Sequence, residues 1–544
     1  MISVAVIAAT LGLAPGIAQA AEPVAPGVSA PAVDLAKAAA PSLKTFKSPA
    51  ERSVRTALPG AKGGVAAQQA AGNPDLALVL NAAATTAHAF DLETTVISAD
   101  STLKVTVDWG DGSTDGLDAY GSTVLKSSHT YAELGEYTVK VTVTDAANQA
   151  EVANTFQLQT AGSDFVPYAP TRLLDTRNGT GAVQGKVAPY GSTRVKVGGN
   201  GGIPEGVTAV ALNVTVTNTT SAGHITAFAE GTEQPTTSNV NFEAGQTVPN
   251  LVIVPVGKNG YVELANRGSQ SVDLIADVTG YFTRTEAGGY TPVTPVRFVD
   301  TREGLGTARG QVPVQQTFGT RIGGLRGVPE GVTAVALNVT VTNPREAGHL
   351  SVFPGGGTVP ITSNVNFTAG QTVANAVIVP VGKDGSISVR NGAWAGTDVI
   401  VDVVGYYSRD SKASYMPITS VRLLDTRDPR WPHGPMQGRG YVWQALSADE
   451  PGIAGYVLNT TVTNTAGTGF LSVAPDPNTR DQYRNGQQVF PARPTASTLN
   501  WTAGKTVPNL VQAGAGNNGI VDFWNQGWDN ADLVVDIFGY YESN

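Results

Sequence analysis

Cysteine is absent from all 544 residues. That removes disulfides, thiolate nucleophiles, Cys-ligated zinc and iron–sulfur clusters together, so any stability outside a reducing compartment must come from packing. Charge is sparse, 15% of residues, and sums to −9. An acidic balance of this kind excludes nucleic acid as a partner and a polybasic membrane patch as an anchor. No stretch approaches the ~18–20 uninterrupted apolar residues of a membrane span. HExxH, G-x-S-x-G and LPxTG-type sorting signals are all missing. No two histidines have metal-ligand spacing, so neither a metal nor any other cofactor is expected.

What is present is glycine and proline punctuation between short Val- and Thr-rich runs, the composition of an all-β, multi-domain chain. Residues 1–20 end an apolar run on Ala18-Gln19-Ala20, a small-x-small cleavage pattern, and are expected to be a signal peptide although no Lys or Arg precedes the run. Residues 21–73 are Ala/Pro-rich and read as a disordered linker. Strand alternation begins at about 75. In YTVKVTVTD, Tyr137, Val139, Val141 and Val143 share one face and the polar residues the other.

Residues 75–160 contain VTVDWGDGSTDG followed by SSHTYAELGEYTVKVTVTD. Asp108, Trp109, Gly110, Asp111 and Gly112, with His129, Tyr131, Gly135, Tyr137 and Val139, resemble the PKD domain. That resemblance implies an Ig-like β-sandwich that serves extracellular proteins as a spacer or binding module. Gly-Asp-Gly after a strand is turn chemistry, with Asp108 and Asp111 free to bond nearby N–H groups. A calcium site there is the alternative, but the spacing is not that of an EF-hand loop.

Three repeats follow, at 165–285, 290–410 and 415–544. Each carries RLLDTR or RFVDTR, then LNVTVTN or LNTTVTN, SNVNF or STLNW, AGQTV or AGKTV, and a final DLIADVTGYF-type strand. A unit of this length exceeds a solenoid repeat or propeller blade, so each is expected to be an independent β-sandwich or jelly-roll module. The repeats resemble modules of secreted actinobacterial proteins, a resemblance that implies location and modularity more than activity.

The triplicated Asp-Thr-Arg reads as a structural clasp. Asp273 and Asp277, Asp398 and Asp402, and Asp532 and Asp536 lie four apart, about 13 Å along a strand, too far for the ~5–9.5 Å of a glycosidase carboxylate pair. Beside Asp175, Asp300 and Asp425, the arginines Arg177, Arg302 and Arg427 are expected to reach the partly buried Asp277, Asp402 and Asp536. In LNVTVTN the N-x-T residues Asn213, Asn338 and Asn459 form a polar face, available as a wettable surface for a partner. His224 and His349 are replaced by Phe470 in the third copy, so the module does not require imidazole there.

Five of the seven tryptophans, Trp431, Trp443, Trp501, Trp524 and Trp528, fall in the third module. Trp501 replaces Phe242 and Phe367, and Trp443 aligns with Phe318, so both belong to the core. Trp524 replaces Ala265 and Arg390 and is expected to face solvent. With Trp528, Trp394 and Trp431 it makes a candidate sugar-binding surface, because a ring covers the apolar C–H face of a saccharide while polar neighbours bond its hydroxyls. The reading is a secreted or envelope-associated, non-catalytic adhesion or display protein that binds extracellular glycan or a surface protein through the third module. The alternatives are a secreted hydrolase or its binding subunit, and a spacer with no ligand.

Overall fold

A computed structural model describes residues 45–58, 73–160, 162–447, 452–516 and 519–543, with the backbone of three short strands, Ile2–Ala5, Ile7–Ala9 and Ala18–Ala20. The signal-peptide expectation therefore lies outside the described side chains. The linker expectation lies outside the described residues for 21–44 and 59–72. Between those stretches it is corrected: Thr45–Ser48 and Val54–Ala57 are strands, each joining one sheet of the first domain. Phe46, the only aromatic of the segment, is buried against Phe90 and Phe156 and supplies the anchor.

That domain is a sandwich of a four-stranded and a five-stranded sheet. Its alternating strands put Val139, Val141 and Val143 inside, with Trp109 and Tyr131.

Each repeat contributes eight strands, four to each of two sheets, and Ile2–Ala5 adds a fifth strand to the outer sheet of the third by pairing with Tyr441–Ala445. In the first, the inner sheet runs Asp164–Asp175, Asp273–Thr283, Ala209–Thr217, Val248–Pro255, and the outer sheet runs Ser192–Lys196, Tyr261–Asn266, Gly223–Ala229, Val240–Phe242. Numbered along the module, the orders 1-8-3-6 and 2-7-4-5 are those of a jelly roll. The second and third modules repeat them, and their inner sheets merge into one of eight strands through Tyr290 and Ala413.

The modules are not independent, which corrects the expectation from repeat length. Ala209–Thr217 and Ala334–Thr342 are buried at every position, on both faces. One face fills the module's own core; the other meets the neighbouring modules in a shared core built from equivalent residues of all three. Phe165, Tyr290 and Tyr415 lie there with Phe282, Tyr407 and Tyr541, and Leu251, Ala376 and Leu510. The repeated glycine of the last strand is explained here: a Cβ at Gly280, Gly405 or Gly539 would overlap the ring of Phe165, Tyr290 or Tyr415.

A belt of asparagines closes the ring of modules. Asn375 Nδ2 donates to Asn213 Oδ1 (3.0 Å), Asn509 to Asn338 (3.1 Å) and Asn250 to Asn459 (2.9 Å). Second to first, third to second and first to third is a closed heterologous cycle, the signature of three-fold rotation, here within one chain. Asn213, Asn338 and Asn459 also donate across the seams to the carbonyls of Ser363, Ser497 and Ser238. The polar face of LNVTVTN is thus a buried seam and not a wettable surface.

Candidate functional site

Arg172, the first residue of RLLDTR, donates Nε to Asp277 Oδ1 (2.8 Å) and Nη2 to Oδ2 (3.2 Å), and reaches Asp175 with Nη1 (3.2 Å). Arg177 folds back on Asp175 instead, Nε to Oδ1 at 2.9 Å and Nη2 to Oδ2 at 2.7 Å. The same geometry joins Arg297 to Asp402 and Arg302 to Asp300, then Arg422 to Asp536 and Arg427 to Asp425.

A clasp between first and last strands therefore exists, but the arginine is Arg172, Arg297 or Arg422 and not Arg177, Arg302 or Arg427. Two features defeat the period-2 reading. The strand ends at Asp175, so Arg177 lies in the following turn. A register shift between Arg172 and Leu174 sets Arg172 directly opposite Asp277. The missed residue stood in the motif itself, three positions before the aspartate.

Hydrogen bonds from Arg177 hold Asp175 below the usual carboxylate range, and Arg302 does the same for Asp300. Burial works against Asp425, yet bonds from Arg427 still hold it low. Burial outweighs the clasping arginine at Asp277, Asp402 and Asp536 and raises them. Each aspartate is saturated by guanidinium donors in a fixed fork, an arrangement that joins strands.

The tryptophans divide. Trp524 is 0% exposed, and the expectation that it faces solvent is overturned. It stacks on Tyr441 at 4.3 Å, meets Phe490 edge-on and lies under Arg493. The third module's insertion is the reason: residues 476–494, with the short helix Arg480–Arg484, fold over the outer face of this module's outer sheet, where Tyr483 stacks on Trp443 at 4.1 Å. Under this cap Asp522 is buried beside Asp476 and Trp524. Among the described residues no donor reaches either oxygen in ordinary hydrogen-bond geometry, and burial, then Asp476, raises it well above the carboxylate range. Trp431 is also interior, its Nε1 donating to Gly434 O at 2.8 Å.

Trp394 and Trp528 are 76% and 82% exposed. They occupy equivalent loop apices, each buckled by a buried asparagine. Asn391 donates Nδ2 to Ala395 O (2.8 Å) and accepts Ala393 N (2.9 Å). Asn525 does the same with Asp529 O (2.9 Å) and Gly527 N (2.8 Å). Asn266 repeats the buckle in the first module, where the apex is Ser269. Arg439 lies 5.1 Å above the Trp528 ring, and Asp529 and Asn530 stand exposed beside it. These loops pair two solvent-facing rings with adjacent polar groups on a fixed backbone.

In the first domain, Asp108 Oδ1 accepts Gly110 N (2.9 Å) and Asp111 Oδ1 accepts Ser113 N (3.0 Å), while Gly110 and Gly112 take positive φ of 84° and 95°. Asp111 also meets His129 at 2.8 Å, and His129 stacks on the buried Trp109. Burial pushes Asp111 up, but the bonds from Ser113 and His129 bring it down to about 2. The turn is closed by its own donors. Among the described residues no helix is long and apolar enough to cross a membrane, which leaves strands out of account.

No curated protein matches the sequence. Among solved structures, a SusE-like protein is 8% identical over 38% of this chain and 96% of its own, with a TM-score of 0.12. A tetra-tandem repeat from the extending region of a large adhesion protein is 13% identical over 84% and 96%, with a TM-score of 0.13. An archaeal virus turret protein described as a triple jelly roll is 11% identical over 70% and 90%, with a TM-score of 0.15. Overlaps this slight carry nothing about function. Residues 72–160 match the PKD domain family, so the domain built around Trp109 and Tyr131 is a PKD domain.

Proposed function

We propose that this chain is a secreted or envelope-associated, non-catalytic display protein that binds extracellular glycan through Trp394 and Trp528. The carrying observation is the pair of solvent-facing indoles at equivalent, asparagine-buckled apices of two modules. A large apolar ring left mostly in water adds little buried area to the fold, whereas it suits the C–H face of a sugar, with the exposed Asp529 and Asn530 beside it at the third module. The PKD domain and the resemblance of the repeats to secreted modules support an extracellular setting.

Retention of the full chain on chitin, microcrystalline cellulose and peptidoglycan sacculi tests this, beside a Trp394→Ala, Trp528→Ala double variant. Binding by the parent that the variant loses upholds the reading. A parent retained by none of the three, while retained by whole cells, moves it to a protein adhesin.

A further inference from the structure

The first module lacks a tryptophan at its loop apex, where Ser269 stands, but it is not without an exposed ring. Tyr190 is 66% exposed and lies in the turn that packs against that loop. The turn and the loop are joined in all three modules by one conserved geometry: Asn266 N donates to Gly191 O (2.8 Å), Asn391 N to Gln316 O (2.9 Å) and Asn525 N to Gly440 O (2.9 Å).

The position of Tyr190 carries a second signal. Tyr190, Gln315 and Arg439 are equivalent, and each holds a left-handed φ, of 55°, 55° and 60°. Glycine would remove that backbone cost, yet every module keeps a side chain there. In two modules its use is visible: Gln315 Nε2 donates to the carbonyls of Gly392 and Ala393 beside Trp394, and Arg439 covers Trp528. In the first module the side chain at this position is itself the exposed aromatic. Each module therefore presents one solvent-facing ring at the same turn-and-loop site, Tyr190, Trp394 or Trp528.

Topology fixes where these sites lie. The last strand of the first module runs from the loop end, at Asp273, to Thr283, where the chain passes to the next module. There Leu134 N of the PKD domain donates to Arg284 O, and Glu286 N to Ala132 O. The loops thus sit at the end of the head away from the PKD domain. Along the strands the modules touch at the crossover end through Phe165, Phe282 and their equivalents, midway through the asparagine belt, and at the loop end through Lys505 and Glu243 (2.6 Å). The closed cycle of asparagines relates the modules by three-fold rotation about a common axis. Three equivalent sites about that axis share one height on it.

We infer that Tyr190, Trp394 and Trp528 form a three-point contact at the distal end of the head, fitted to the flat face of a packed, β-linked polysaccharide. Three rings carried by three separate modules define a plane, which a solid face can meet at all three points at once. β-Linked hexoses with equatorial hydroxyls expose continuous C–H faces, and packed chains repeat them across a surface. Each contact is weak alone; linked rigidly in one chain, they multiply. The inference rests on the glycan reading above and adds to it the tyrosine and the geometry of the ligand.

The test uses the full chain on microcrystalline cellulose and insoluble chitin, with the soluble β-linked hexasaccharides of glucose and of N-acetylglucosamine measured in parallel. Tyr190→Ala is expected to lower retention at least about tenfold, and Tyr190→Trp to restore it. No variant should change the affinity for a hexasaccharide bound at Trp528. Tyr190→Gly relieves the left-handed strain, so it is expected to raise the melting temperature while retention falls, which separates lost contact from lost fold. If the Tyr190 variants are retained like the parent while Trp394→Ala, Trp528→Ala is not, the three-point geometry is wrong and the glycan reading stands. Hexasaccharides that bind as tightly as the solid also overturn it. A parent retained on neither solid and bound by neither hexasaccharide overturns both.

Discussion

At the residue scale, fixed guanidinium–carboxylate geometry decides between two arginines that look alike in sequence. Arg172 links two strands through a nearly unexposed Asp277, whereas Arg177 only folds back on Asp175 across a turn. Removing Arg172 leaves Asp277 buried without a donor, so Arg172→Ala should cost about 3–5 kcal/mol. Arg177→Ala should cost less than half as much, because Arg172 still reaches Asp175. Denaturant melts of both variants check the order, and equal losses would mean that the clasp is not where the bonds place it. The motif itself was legible, since repetition inside one chain marked Asp-Thr-Arg as a requirement. Which arginine crosses was not, because it depends on a one-residue register shift between Arg172 and Leu174 that no alternation pattern records.

At the element scale, the third module's insertion turns an exposed sheet face into a small second core. Asp522 is the weak point of that core. Its carboxyl is raised, first by burial and then by Asp476, so the folded cap keeps a proton that the unfolded chain gives up near the ordinary carboxylate pKa of about 4. The sign follows: stability is greatest below that value and falls as pH rises towards the folded pKa. Asp522→Asn should raise the melting temperature at pH 7 and flatten the dependence between pH 4 and 7. A parent and variant that lose stability in parallel over that range would show the proton to be elsewhere. Trp524 was misread from sequence for a related reason. Its equivalents Ala265 and Arg390 tolerate polarity, but only the third module has a cap to bury what stands there.

At the scale of the whole molecule, three jelly rolls behave as one body because their inner sheets are buried on both faces. A single module cut out as residues 415–543 would expose Val457, Leu510, Phe538 and Tyr541. Since the intramolecular interface is already a closed cycle, three copies can satisfy it, so the isolated module should run as a trimer or precipitate. Light scattering on the excised module decides this, and a stable monomer would contradict the shared core. The PKD domain joins the head through His88, which lies 3.3 Å from Asp164; Asp164 in turn accepts Ser414 Oγ at 2.8 Å. Burial lowers His88, but Asp164, the Tyr131 carbonyl and Glu286 raise it above its ordinary value. The charged pair therefore stabilises the joint fully below about pH 6.5 and is lost as pH rises through the raised value. Proteolysis at the joint should accelerate above that pH in the parent and become independent of pH in His88→Gln.

The sequence alone determined whatever repetition and period could encode. These include the all-β class, the PKD turn at Asp108–Gly112, the three modules and a salt-bridged clasp of some kind. Each depends on residues close in the chain or repeated along it. Tertiary structure decided what depends on which surfaces meet. It turned the N-x-T asparagines from an open face into the seams of a three-fold ring, and it placed Trp524 beneath a cap while leaving Trp394 and Trp528 in water. A strand's alternation states that two faces differ; whether the second face meets water or another module is settled only by what packs against it.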